Sequence, residues 1–123
     1  MGTITVRAYL NTTESPDGIP VGMLYGYESG HDLTLAYNTT IMATMPDDAI
    51  CEQVFRLLNV GDDPEFNAVI DPRATTYRAQ GHRSLSVGDV VAINHRWYSV
   101  DRVGFSAIDA PAAARLHATT THA

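Results

Sequence analysis

Cysteine is almost missing from this sequence. Cys51 stands alone among 123 residues, which excludes an internal disulfide framework and makes a reducing compartment, the cytoplasm, the expected location. Charge is scarce too, at 18% of residues against the ~25% usual for globular chains. The shortfall is greatest in basic residues, with 8 against 14 acidic ones and a net charge of -6. A binder of phosphate backbones carries a basic stripe, so this balance argues against one. It is also too mild for a nucleic-acid mimic, which needs long carboxylate runs. No apolar run approaches the ~20 residues that span a bilayer, so no membrane is expected. Thr3, Thr5 and Arg7 interrupt the first apolar residues, unlike a signal peptide. The Gly-x-Ser-x-Gly elbow, the phosphate loop and the dinucleotide fingerprint are all absent. We therefore expect no enzyme, assign no catalytic residue and infer no cofactor.

What is present suits a folded domain. The chain is 45% hydrophobic, and a chain of this length buries roughly two thirds of its unfolded surface. Residues 3–10 alternate, with Ile4, Val6, Ala8 and Leu10 on one side and Thr3, Thr5, Arg7 and Tyr9 on the other, the pattern of a half-buried strand. Residues 11–18 read as a loop. Residues 21–27 read as a strand bent at Gly22 and Gly26, forming a hairpin with a second alternating run over 33–41.

Helical spacing follows Pro46. Ile50, Val54, Leu57 and Leu58 make an apolar stripe broadened by Cys51 and Phe55, and Gly61 supplies a stop. Thr44-x-x-Asp47 resembles a capping box, so the spacing predicts a helix over 47–59 lying across the sheet. Residues 75–78 read as a short strand. Residues 84–93 and 97–108 read as a hairpin with a long second arm, in which Trp97, Ser99, Asp101, Val103 and Phe105 share one face. Residues 110–123 read as a flexible tail.

The expected fold is therefore α+β: a bent, mostly antiparallel sheet of five to six strands, partly barrel-like, packed on one main helix at about 47–59. Residues 1–109 form a single domain. Its core includes Ile4, Val6, Leu35, Ile50, Val54, Leu57, Leu85, Val91, Ile93 and Val100.

Chemistry-bearing residues are thinly spread. His31, His82, His95, His117 and His122 show no metal-ligand spacing, and no metal site is assigned. Cys51, on the shoulder of an apolar stripe, reads as packing rather than as a nucleophile. Asp62, Asp63 and Glu65 lack the alternating spacing of a calcium loop. Asp89 after Gly88 reads as a tight turn. The most distinctive stretch is His95-Arg96-Trp97-Tyr98, which unites a planar cation, two large aromatics and an imidazole, types enriched at binding hot spots. Trp97 has two readings, inward as core or outward as interface.

Residues 64–108 resemble the YodL-like domain found in proteins of conjugative elements, plasmids and phages of Gram-positive bacteria. The residues that carry the resemblance are Arg83-Ser84-Leu85-Ser86-Val87-Gly88-Asp89-Val90-Val91, then Tyr98-x-Val100-Asp101 and Gly104-Phe105. It implies an accessory protein of a mobile genetic element that acts inside a bacterial cell, with no catalytic residues to carry over. The function expected is a non-enzymatic module that binds a host or element-encoded protein, as a monomer or homodimer. The binding residues expected are Arg83, His95, Arg96, Trp97, Tyr98 and Arg102. The alternative is a small barrel-type nucleic-acid-binding module. That would require Arg73, Arg78, Arg83, Arg96 and Arg102 to converge on one basic face.

Overall fold

The computed structural model describes residues 2–42 and 44–118. Its elements are β1 (Thr3–Asn11), α1 (Val21–Tyr25), β2 (Leu33–Met42), α2 (Asp47–Val60), α3 (Pro72–Ala79), β3 (Val90–Ile93), β4 (Arg96–Val100), β5 (Phe105–Ile108), a 3-10 turn (Ala113–Arg115) and β6 (Leu116–His117). The protein is α+β, with one six-stranded sheet curled into a half-barrel. The chain forms two compact units: Met1–Thr44 with Ser86–Ala123, and Met45–Leu85. No helix among the described residues is long and apolar enough to cross a membrane.

The first unit holds the sheet, in the order β5-β4-β3-β1-β2-β6. Every neighbouring pair is antiparallel except β2–β6, which is parallel. The continuous apolar run Val90-Val91-Ala92-Ile93 makes β3 a strand buried on both faces. On one face Tyr9, Leu33, Val90, Ala92 and Trp97 form a cluster, with Tyr27, Leu35, Ile108 and Leu116 packed against it. On the other, Val6, Ala8, Val91, Ile93 and Val100 are buried as well. The alternation of β1 therefore marks two covered faces, not a dry face and a wet one. Of the expected core, Ile4, Leu35 and Leu57 are only partly buried.

Residues 21–27 do not form a strand. Val21–Tyr25 is a short helix after Pro20, and β2 pairs with β1 along its length instead. Gly22 explains the arrangement: a Cβ there would come within 2.6 Å of the Asn11 side chain. Gly22 therefore serves a close approach, not a bent strand. The expected long arm 97–108 is two strands, β4 and β5, with Val100 opposite Phe105. The turn between them, with Gly104 at φ 74, reverses the side-chain parity. Trp97 faces the side of Ile108, and Phe105 the side of Val100, so Trp97 and Phe105 do not share a face. Part of the expected tail is ordered as β6, while 119–123 lies outside the described residues.

The second unit is helical. Helix α2 buries Ile50, Cys51, Val54 and Leu58 as the stripe predicts. Its N-cap is Pro46, with no side-chain capping bond, so the Thr44 box does not form. A Cβ at Gly61 would lie 2.8 Å from the Ala74 methyl, so the glycine admits α3 beside the end of α2. Residues 75–78, expected as a strand, belong to α3. Asp71 caps that helix by accepting the Arg73 backbone N–H at 2.9 Å, and Pro72 occupies the first turn. Of the hairpin arm expected over 84–93, only Val90–Ile93 is strand. Leu85 is instead held in extended form by Asn59, whose side chain donates to its carbonyl at 3.0 Å and accepts from its N–H at 2.7 Å.

Candidate functional site

The stretch His95–Tyr98 opens on a two-residue turn, Asn94-His95, closed by the pairing of Ile93 with Arg96. Asn94 takes the left-handed conformation, φ 53, which asparagine tolerates better than most residues. Its side chain accepts the Thr5 N–H at 2.9 Å, and its own N–H donates to the Thr5 carbonyl at 2.9 Å. The tip is thus braced against β1.

The structure divides the six expected binding residues. His95 and Arg96 are exposed on the tip. Trp97 is only 9% exposed. It packs on Tyr9 with ring centroids 5.5 Å apart, and the Arg7 guanidinium lies 5.8 Å from its ring, within cation–π range. Of its two readings, core is correct. Tyr98 is half-buried on the opposite face, across from Val91 and Ala107. Arg102 is exposed in the turn at the far end of β4, separated from the tip by roughly 17 Å of strand rise. Arg83 is half-buried in the other unit, donating to the Ser84 carbonyl at 3.0 Å. Within the first unit, His95, Arg96 and Tyr98 make one local group, with Arg96 and Tyr98 on the same face.

The sequence reading missed a buried polar node. Asp89, expected only to make a turn, is fully buried. Its Oδ1 accepts the Asn11 N–H at 2.8 Å and its Oδ2 the Ser86 N–H at 2.7 Å. The Asn11 amide donates to the Gly88 carbonyl at 3.0 Å and lies 3.0 Å from His31 Nδ1. Gly88 sits at φ 90, where a Cβ would come within 2.4 Å of the Gly22 carbonyl oxygen. Asn11 is 78 residues from Asp89, so only the fold reveals this node. It is architectural: both carboxylate oxygens are occupied by backbone donors from separate parts of the chain.

All eight basic residues are arginines, and many of them are bound internally. Arg7 donates to the Asn94 carbonyl, Arg56 to the Phe66 carbonyl, and Arg78 to the Asn59 carbonyl and Ser84 Oγ. Arg73 pairs with Asp71 and Arg115 with Asp32. Burial, with help from the Asp47, Asp48 and Glu52 carboxylates, pushes the Cys51 thiol up to about 12, so it is no nucleophile at neutral pH. Burial also lowers the pKa of His82. Among the described residues no three His, Cys, Asp or Glu side chains are grouped to hold a metal ion. An open cleft of about 480 Å³ is lined by Tyr27, Ser29, Ile108, Asp109 and Pro111 among others. A second of about 390 Å³ runs along Glu52, Phe55, Arg56 and Val60. Neither is lined by a histidine or a cysteine.

No family model matches this chain, and searches of the curated proteins and of the solved structures return no match.

Proposed function

We propose that this protein is a non-enzymatic binding module, an accessory protein of a bacterial mobile genetic element, that captures a host or element-encoded protein through the β3–β4 hairpin tip. One observation carries the choice of surface. His95 and Arg96 stand exposed on a turn braced to β1 by Asn94, with Tyr98 beside Arg96 on one face. A rigid turn presenting a guanidinium and an aromatic ring loses little entropy on binding and offers the side chains richest in contact energy. Trp97 is the scaffold of this surface and not its anchor. The genetic-element part of the reading rests on the motifs Arg83–Val91 and Tyr98-x-Val100-Asp101. Cytoplasmic action follows from the single cysteine. The internal bonding of Arg73, Arg78 and Arg83 weighs against the nucleic-acid alternative, which needs those guanidinium groups on phosphate.

The test is Arg96→Ala combined with Tyr98→Ala, scored for thermal stability and for partner capture from the native host. Near-unchanged stability with at least tenfold weaker capture is expected, roughly what losing one hot-spot residue costs. Capture at full strength by the double variant would rule out this surface.

A further inference from the structure

Strand β2 is ten residues long and pairs with β1 along its length, with one register shift at Ala36. On its other side only Leu33 and Thr34 meet β6. Over residues 36–42 the sheet ends there among the described residues, leaving β2 as an edge strand. Edges are normally blunted by charge, proline, bulges or brevity. Beyond the register shift at Ala36 the pairing is regular, and the stretch Tyr37-Asn38-Thr39-Thr40-Ile41-Met42 carries no charge, proline or glycine, with Met42 71% exposed. In a chain of net charge -6, a neutral strand is where a second copy can approach without meeting like charge.

We propose that the protein forms a homodimer by antiparallel pairing of β2 with β2 of a second copy, centred on Thr39. The register follows from symmetry. A two-fold axis relating two antiparallel strands of one continuous sheet runs perpendicular to it and leaves each side chain on its own face. Residues alternate between faces, so the axis must pass through a residue paired with its own copy. Centring on Asn38 would set Met42 against Thr34, whose edge β6 already occupies. Centring on Thr39 pairs 37–41 with the same residues of the other copy and leaves Ala36, where the register with β1 shifts, at the margin. Asn38 then faces Thr40 of the other copy, both on the exposed side. Tyr37 faces Ile41 of the other copy, an aromatic with β-branched pair of the kind that stabilises sheets. The dimer is independent of the partner-binding surface, because β3 and β1 lie between β4 and β2 in the sheet.

The experiment uses the full chain. Light scattering at sub-millimolar concentration should give twice the 13.4 kDa of one copy. Thr39→Cys should cross-link into a covalent dimer under mild oxidation. Asn38→Cys should not, since a residue and its own copy then lie on a ~7–8 Å diagonal, beyond comfortable disulfide reach. The native Cys51 is buried and does not interfere. Asn38→Glu with Thr40→Glu sets carboxylates against each other across the pairing and should give monomer. Asn38→Lys with Thr40→Glu sets opposite charges there and should remain dimeric. A wild-type monomer at every concentration overturns the proposal. So does a dimer that survives the double glutamate variant, or cross-linking that is equal at positions 38 and 39.

Discussion

Asp89 shows how a single side chain can hold distant pieces of backbone in place. Its two oxygens satisfy the N–H groups of Asn11 and Ser86, and it is fully buried. Removing an acceptor of this kind leaves both donors in a site water cannot easily reach, each worth ~1–3 kcal/mol. Asp89→Ala should therefore lower stability by about 2–4 kcal/mol in urea unfolding. Asp89→Asn, which keeps one acceptor oxygen, should lose less. Equal stability of Asp89→Ala and wild type would show that these bonds add nothing net to folding.

At the scale of elements, β6 is the smallest strand and the one most dependent on electrostatics. Asp32, just before β2, lies 3.0 Å from the His117 ring nitrogen and 3.5 Å from Arg115. Chiefly through the hydrogen bond from His117, and then through Arg115, its pKa is held below the ordinary carboxylate value. A carboxylate whose folded pKa is depressed contributes stability that is complete above its unfolded value. That stability is lost as pH falls through the lower folded value. Docking of Leu116–His117 on β2 should therefore weaken on the acid side of the carboxylate range, and Asp32→Asn should weaken it above that range, where the wild-type carboxyl is ionised. Amide exchange at Leu116 and His117 would report both effects. Exchange in wild type that ignores acidification, or that matches the Asp32→Asn variant at neutral pH, would remove Asp32 from this role.

The whole molecule is acidic, lacks lysine and uses much of its arginine internally. Polyanion binding releases counterions in proportion to the phosphates neutralised. With so few guanidinium groups available, no salt-dependent uptake of single-stranded DNA or RNA should appear at physiological ionic strength. A fluorescence anisotropy titration with a labelled 20-mer checks this. Binding that strengthens steeply as salt is lowered would favour the nucleic-acid reading over the protein-partner one.

Local pattern alone determined the α+β class, the α2 stripe of Ile50, Val54 and Leu58, strands β1 and β2, and the buried run of β3. In α2 and β3 the hydrophobic pattern and the burial agree, because periodicity is a property of neighbouring residues. In β1 the alternation located the strand although both of its faces are covered. The Asp71-Pro72 cap passed unread, and residues 75–78 read as strand, since four residues cannot distinguish the two periods. Tertiary structure decided the rest. That β2 pairs with β1 and not with residues 21–27, that Trp97 is core and not interface, and that Arg102 stands at the other end of β4 from Arg96 all depend on which strands become neighbours. The Asn11–Asp89 node and the open edge of β2 depend on the same choice. Strand pairing is settled by contacts tens of residues apart in the chain, and no local period encodes them.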